Sequence, residues 1–198
     1  MINRKKFLEM GTLRLSGLLV SPSFAASVHG IGMDENANKK TIKFGIITDL
    51  HYDLMHDSDR RAQLFIDEMN TEGPDFIISL GDFCVPKSSN QNLTAIWAKF
   101  KGKKHFVLGN HDTDGGFTKE QALAFWGAEK PYYSFDDKGF HFVVLDGNEK
   151  DPQKKISGYP RTIGKEQLNW LKEDLRRTKL HTIIFCHQGL ENTINGLD

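Results

Sequence analysis

Residue types that bind metal ions follow four apolar segments of this 198-residue sequence. Residues 109–112, with the sequence GNHD, come directly after the apolar run 104–108 and present three polar side chains in succession. Loops at the carboxyl ends of strands are where α/β folds place their chemistry. The other three apolar segments are likewise followed by Asp or His residues. The candidate metal ligands taken together are Asp49, His51, Asp82, Asn110 and His187.

The types and spacing of these residues indicate which ions they would bind. Asp49 and His51 are two positions apart, so in an extended segment both side chains point the same way. Asp82 has two carboxylate oxygens and is therefore able to bridge two cations. Nitrogen and oxygen ligands together suit Mn, Fe or Zn better than Ca²⁺, which prefers oxygen alone. Each residue by itself also fits a turn, a helix cap or a core histidine, but their occurrence at four strand ends favours a metal centre.

Length and composition narrow the class of protein. The 198 residues suit one domain with a sizeable core, and a hydrophobic content of 38% is typical of a globular chain. Lys+Arg and Asp+Glu number 26 each, so no global basic field indicates nucleic acid or an anionic membrane as a partner. Two cysteines are too few for a disulfide framework. No segment approaches the roughly 18 unbroken apolar residues that a membrane-spanning helix needs.

The first 40 residues differ in character from the rest of the chain. Residues 1–26 combine a basic start, an apolar segment and small residues at the end, which are the three regions of an export signal. The start resembles a twin-arginine signal in which Lys5 replaces the second arginine, and Arg14 interrupts the apolar region of a Sec signal. The alternative is an amphipathic helix. We expect export to a bacterial periplasm, a disordered leader over residues 27–40 and one domain over residues 41–198.

Strand and helix patterns alternate from residue 41 onward. The predicted strands are residues 41–48, 75–80, 104–108 and 180–186, and the predicted helices are residues 59–69, 93–100 and 167–176. A further helix begins at Thr118, which has the spacing of a capping box with Gln121, and ends at Gly127. Residues 132–135 and 140–145 are typical of a hairpin. The alternation predicts an α/β fold with a largely parallel sheet and an antiparallel part.

The order of these motifs resembles that of the calcineurin-like metallophosphoesterases. That family carries D-x-H, G-D, G-N-H-[DE], a lone His and G-H-x-H in this order. Here the corresponding segments are residues 49–51, 81–82 and 109–112 and His187, and the resemblance extends over roughly residues 42–187. It implies an α/β fold in which a mixed β-sheet sandwich is flanked by helices on its outer faces, with the C-terminal part of that fold missing.

The resemblance also implies a metal-binding role for five residues. Asp49, His51 and Asp82 would hold a first metal ion. Asp82 would bridge to a second ion, which Asn110 and His187 would also hold. The implied cofactors are two divalent or trivalent ions of Mn, Fe or Zn.

Two further residues of the GNHD segment carry catalytic roles in the resemblance. His111 would sit over the substrate phosphate as an acid or transition-state stabiliser, and Asp112 would orient the loop or His111. The implied activity is hydrolysis of a phosphate-ester or pyrophosphate bond in a small phosphorylated substrate. The attacking group would be a hydroxide that two metal ions activate.

The sequence departs from the family pattern at two points. No G-H-x-H motif occurs within the 198 residues, so we expect either a fragment of a longer chain or an incomplete site, and the missing ligands could leave this chain inactive. Val85 stands three residues after the G-D aspartate, where phosphoprotein phosphatases carry an Asp, which argues against that branch. The alternatives to an active phosphoesterase are a non-catalytic member that binds a metal or ligand, and a nuclease, which the neutral charge disfavours. The sequence leaves the oligomeric state open.

Overall fold

A computed structural model describes residues 40–150 and 158–189 of the chain. The predicted export signal over residues 1–26 and residues 27–39 of the predicted leader lie outside the described residues, so both assignments stay predictions. Within the described part of the chain, no helix is long and apolar enough to cross a membrane.

The first half of the described domain forms a three-stranded parallel sheet. Its strands, in spatial order, are β1 (Phe44–Ile47), β2 (Phe76–Ser79) and β3 (Lys103–Phe106). The helices that connect or follow these strands are α1 (Ser58–Glu72), α2 (Gln91–Ala98) and α3 (Lys119–Trp126). Helix side chains such as Ile66, Leu93 and Trp97 pack with Ile77 and Phe106 of the sheet into one hydrophobic core.

The second half forms a three-stranded mixed sheet. Its strands, in spatial order, are β4 (Tyr133–Asp137), β5 (Phe140–Leu145) and β6 (His181–Cys186). The pairing of β4 with β5 is antiparallel, as the hairpin pattern predicted, and β6 runs parallel to β5. The connection from β5 to β6 contains helix α4 (Lys165–Arg177), which packs Leu171 against Val143 and Leu145.

The two sheets pack face to face. Phe76 and Ile78 of β2 form one buried cluster with Phe142 and Val144 of β5 and Phe185 of β6. The rings of Phe76 and Phe142 lie 5.1 Å apart, edge to face, an arrangement that the ring quadrupole favours. The chain therefore forms two sheets, one parallel and one mixed, where the alternation predicted one largely parallel sheet with an antiparallel part. With helices on the outer faces, the architecture is the sandwich that the family resemblance implied.

Local sequence signals account for several element boundaries. The Thr118 side chain accepts the Gln121 backbone N–H (3.2 Å), and the Gln121 side chain accepts the Thr118 N–H (2.8 Å), so the predicted capping box is present. Gly127 ends α3 with a φ of 69°, a conformation that glycine adopts at little cost.

The carboxyl ends of the three parallel strands lie side by side. Ile47 at the end of β1 is level with Ser79 of β2, which is in turn level with Phe106 of β3. The loops that follow these three residues carry the D-x-H, G-D and G-N-H-D segments. The sheet register therefore brings the motif loops to one edge of the domain.

Candidate metal centre

Backbone hydrogen bonds join the loops after β1 and β2. The N–H groups of Asp49 and His51 donate to the carbonyl oxygens of Gly81 (3.1 Å) and Asp82 (3.0 Å). Asp49, His51 and Asp82 have positive φ angles of 51°, 45° and 52°. The expectation that Asp49 and His51 lie in an extended segment is therefore wrong. A left-handed turn brings their side chains together instead.

The side chains of Asp49, His51 and Asp82 form a cluster suited to a metal ion. His51 Nε2 lies 3.8 Å from Asp49 Oδ1 and 3.7 Å from Asp82 Oδ2. One ligand atom from each residue lies within 4.8 Å of the others. Atoms that bind one ion at about 2.0–2.2 Å lie roughly 3–4 Å apart, whereas direct hydrogen bonds are shorter than these spacings. The donor set and its spacing therefore fit an ion.

His187, after β6, brings a second imidazole to Asp82. Its Nε2 atom lies 3.3 Å from Asp82 Oδ2, the same oxygen that His51 approaches. Its Nδ1–H donates to the Leu80 carbonyl oxygen (2.8 Å), an interaction that fixes the tautomer and ring orientation of metal-binding histidines. Burial disfavours the charged imidazole, but the Asp82 carboxylate outweighs it and raises the pKa of His187. Asp82 Oδ2 is thus approached by histidines from both sheets.

The Asp82 carboxylate is held in its charged form. It is 4% exposed, and its other oxygen, Oδ1, accepts the backbone N–H of His111 (2.8 Å). Burial by itself raises the pKa of Asp82, but hydrogen bonds from His187 and from the His111 N–H lower it below the ordinary value. A buried anion requires a cationic partner, which a metal ion would supply.

Two glycines allow the loops after β2 and β3 to touch. A Cβ atom at Gly109 would lie 2.1 Å from the Asp82 backbone N and 2.2 Å from Asp82 Oδ1. Gly81 has a φ of 99°, and a Cβ atom there would lie 2.7 Å from the Gly109 Cα. The two motifs therefore carry glycine where no side chain fits.

Asp112 is fully buried and binds the backbone of both loops. Its Oδ1 atom accepts the N–H groups of Phe83 (2.7 Å) and Cys84 (3.2 Å). Its Oδ2 atom accepts those of Gly109 (2.7 Å) and Asp82 (3.2 Å). Burial raises the pKa of Asp112 to about 6, against the lowering effect of these hydrogen bonds. Of the two roles implied for Asp112, orienting the loop is the one that these contacts fit.

Asn110 has a side-chain partner that sequence reasoning did not identify. Its Oδ1 atom accepts a hydrogen bond from Gln188 Nε2 (2.5 Å). Gln188 Nε2 also lies 3.3 Å from Asn148 Oδ1, and Asn148 Nδ2 donates to the Leu108 carbonyl oxygen (2.9 Å). Amides that follow β5 and β6 of the second sheet therefore fix the orientation of the Asn110 side chain. Its assignment as a metal ligand stays a prediction.

His111 lies beside the cluster and has two partners that were not predicted. Its ring centroid is 5.1 Å from that of His51. Its Nδ1 atom lies 2.7 Å from Asp114 Oδ2 and 3.1 Å from the Tyr159 hydroxyl. Asp114 belongs to the same short 3₁₀ segment, His111–Gly116, so its position three residues after His111 was the available sequence signal. Tyr159 lies in a loop 48 residues further along the chain, and no sequence signal linked it to His111.

The family model described as calcineurin-like phosphoesterase matches residues 42–197. The chain belongs to this family. Membership confirms the resemblance drawn from the motifs and supports metal-dependent hydrolysis of phosphoesters as the general activity. No curated protein sequence matches the chain.

Solved structures similar to this phosphoesterase include proteins from Danio rerio and Aquifex aeolicus. The crystal structure of a dimetal phosphatase from Danio rerio has a TM-score of 0.59 and 16% sequence identity, over 74% of this chain and 69% of that one. The structure of a protein of unknown function from Aquifex aeolicus has a TM-score of 0.37 and 15% identity, over 77% of this chain and 94% of that one. At 16% identity, the first similarity shows a shared fold alone.

A cleft of about 150 Å³ opens beside the candidate ligands of this phosphoesterase. Its lining includes Asp82 and His111, an apolar part with Leu54 and Val85, and one lysine, Lys87. At roughly 30 Å³ per water molecule, this volume holds a phosphoryl group with part of its substituent. The cleft therefore opens beside two of the candidate metal ligands, His51 and Asp82, and beside the candidate acid.

Proposed function

We propose that this chain hydrolyses phosphate-ester or pyrophosphate bonds with two metal ions. The observation that carries the proposal is the position of Asp82 Oδ2, which lies 3.7 Å from His51 Nε2 and 3.3 Å from His187 Nε2. One buried carboxylate approached by two imidazoles fits a ligand shared by two ions. The name of the Danio rerio structure, a dimetal phosphatase, supports the same number of ions.

In the proposed centre, each ion has ligands from more than one loop. Asp49, His51 and Asp82 would hold the first ion, and Asp82, Asn110 and His187 would hold the second. This mixed nitrogen and oxygen set suits Mn, Fe or Zn. Ions in such a centre polarise the phosphoryl oxygens and lower the pKa of a coordinated water toward roughly 7.

His111 supplies the proton for the leaving group in this proposal. Its Nδ1 side is bound by Asp114, and among the described residues Nε2 has no hydrogen-bond partner. Because His111 lines the cleft, this nitrogen is the group available to an oxygen that leaves phosphorus. A positioned general acid contributes about 10²–10⁴-fold to the rate.

The proposed substrate is a small phosphorylated compound. The cleft of about 150 Å³ fits a phosphoryl group, and Lys87 in its lining offers one positive charge to an anion. The equal numbers of acidic and basic residues, 26 each, provide no global field that would attract nucleic acid.

The test is hydrolysis of nitrophenyl phosphate and bis-nitrophenyl phosphate by the full chain loaded with Mn²⁺. We expect turnover that a chelator abolishes and Mn²⁺ restores, and a loss of at least about 10-fold in His51→Ala. Glu68→Gln, at an exposed position on α1, is the matched control and should keep full activity. A chain that binds metal but hydrolyses neither ester would support the non-catalytic alternative, and chelator-resistant turnover would contradict the metal mechanism.

A further inference from the structure

The imidazole of His111 is bound at one nitrogen and open at the other. Its Nδ1 atom lies 2.7 Å from Asp114 Oδ2. Because a carboxylate only accepts hydrogen bonds, Nδ1 carries the proton in this contact. Among residues 40–150 and 158–189, Nε2 has no hydrogen-bond partner. The contact therefore selects the tautomer in which Nε2 is the nitrogen that faces a reacting group.

Tyr159 completes a cluster around this contact. Its hydroxyl donates to the Asp114 carboxylate, with distances of 2.8 Å to Oδ1 and 2.9 Å to Oδ2. Its ring centroid lies 4.7 Å from that of His111. The hydrogen bond to Asp114 raises the pKa of Tyr159, so the hydroxyl stays a donor. A residue far along the chain thus restrains both the imidazole and its carboxylate partner.

The backbone around Asp114 fits this arrangement. The 3₁₀ segment is interrupted at Asp114, which has φ −61° and ψ 155°, and at Gly115, which has φ 75°. The helical turn therefore ends at Asp114, and the Asp114 carboxylate contacts the imidazole of His111, three residues earlier in the chain. Asp114 and Tyr159 also remain partly exposed, with side chains that form no part of the hydrophobic core. Their contacts therefore serve the site more than the stability of the fold.

We propose that Asp114 and Tyr159 are positioning residues that hold His111 as the proton donor to the leaving group. The inference rests on the proposed hydrolysis and adds two residues to it. The acting form is the imidazolium, in which Nδ1 carries the proton bound to Asp114 and Nε2 carries a second proton. When the phosphorus–oxygen bond breaks, its electron pair stays on the leaving oxygen, which takes the Nε2 proton and leaves the neutral imidazole. The proton on Nδ1 stays in its hydrogen bond to Asp114. The proton released from the attacking water restores Nε2, so the imidazole is unchanged after one turnover.

This role predicts a loss that depends on the leaving group. An alkoxide needs a proton when it leaves, whereas nitrophenolate is stable without one. For Asp114→Asn we expect kcat to fall about 10–100-fold on alkyl esters and to change little on nitrophenyl esters. Tyr159→Phe removes one hydrogen bond but keeps the ring, so its loss on alkyl esters should be about 2–10-fold. KM should be unchanged in both variants.

The experiment compares these variants with wild type and with the surface control Glu68→Gln in the full chain. Metal content is measured in each sample and should be unchanged. A second readout is the ¹⁵N NMR spectrum of the imidazole in the Zn²⁺-loaded protein, with the His111 signals assigned from His111→Gln. In the neutral imidazole that remains after proton donation, we expect the single proton on Nδ1 in wild type and its redistribution toward Nε2 in Asp114→Asn.

The outcomes separate this inference from the proposed function. Equal losses on alkyl and nitrophenyl esters, no loss at all, or an unchanged tautomer in Asp114→Asn would each overturn the positioning role. Absence of metal-dependent hydrolysis in wild type would instead overturn the proposed function, and the NMR comparison would still decide how His111 is held. A fall in kcat on alkyl esters together with the tautomer change would support both the positioning role and the proposed function.

Discussion

Three candidate ligands adopt a backbone conformation that L-residues usually avoid. Of the four described non-glycine residues with positive φ, three are Asp49, His51 and Asp82. This conformation costs roughly 1–2 kcal/mol per residue, so surrounding contacts must offset it. The hydrogen bonds from Asp49 to Gly81 and from His51 to Asp82 supply such contacts. The strain is therefore concentrated at the residues proposed to bind metal.

Replacing His111 should separate chemistry from metal binding. Because His111 is assigned to proton donation, His111→Ala should keep its metal while kcat falls by about 10²-fold or more on alkyl esters. The loss should be smaller for nitrophenyl esters, whose leaving group needs no proton. Steady-state kinetics with metal analysis of the same samples checks this. Equal losses on both kinds of ester would mean that His111 acts on the phosphoryl charge instead.

Gly109 gives a prediction about close packing between loops. Because its Cβ atom would lie 2.1 Å from the Asp82 backbone N, Gly109→Ala must displace the loop that carries the shared ligand. We expect a destabilisation of about 1–3 kcal/mol together with loss of bound metal. Gly127→Ala is the control for metal binding: nothing lies within 4 Å of its Cβ position, so it carries only the cost of its φ of 69° and should keep its bound metal. Urea unfolding measures the destabilisation, and metal analysis measures the loss of bound metal. Normal metal content in Gly109→Ala would contradict the packing argument.

The elements around the site differ in how far the sequence specifies them. The capping box at Thr118 and Gln121 and the hairpin of β4 and β5 depend on short-range chemistry, and both were predicted. The turn at Asp49 and His51 was not, because it depends on hydrogen bonds to the loop after β2. A two-residue spacing therefore indicates that two side chains meet, but not the backbone that brings them together.

A buried histidine links β4, β5 and α4. His141 Nδ1 lies 2.6 Å from Asp136 Oδ1, and Nε2 lies 2.9 Å from Asp174 Oδ2. Ser134 Oγ donates to the other oxygen of Asp174 (2.8 Å). Burial lowers the pKa of His141, but the hydrogen bonds to the two carboxylates outweigh it and raise the pKa above 6.5. The imidazolium form therefore satisfies both carboxylates.

This link predicts a pH-dependent contribution to stability. Because the pKa of His141 is raised in the folded state, its contribution is complete below the unfolded pKa of about 6.5 and is lost as the pH rises through the folded pKa. His141→Gln should cost about 1–3 kcal/mol at about pH 6 and less at about pH 9. Urea unfolding at both pH values measures this cost, with His181→Gln at the exposed first residue of β6 as control. An equal cost at both values would contradict the charged link.

The whole molecule brings together residues from both sheets. The motif order predicted that the loops after β1, β2 and β3 would meet His187, and Asp82 does contact it. The contacts of Gln188 with Asn110 and of Tyr159 with His111 were not predicted. These contacts exist only once the second sheet and its connections lie against the first, and no short-range pattern encodes that packing.

We propose that residues 1–26 direct export of the chain, because they combine a basic start, an apolar segment and small residues. Expressed in a Gram-negative host, the full chain should appear in the periplasmic fraction with a shortened N-terminus, which mass spectrometry identifies. A variant without residues 1–26 is the control and should stay in the cytoplasm. Cytoplasmic retention of the unprocessed full chain would contradict export.

The shared position of Asp82 is tested most directly by metal content. Elemental analysis of purified wild type, Asp82→Asn and His187→Ala, each loaded with the same excess of Mn²⁺, gives metal equivalents per chain. We predict two metal equivalents per chain in wild type. In Asp82→Asn the occupancy of both metal sites should fall, whereas in His187→Ala mainly one site should lose its ion. Loss of only one equivalent in Asp82→Asn, in a protein whose circular dichroism matches wild type, would contradict a carboxylate shared by two ions.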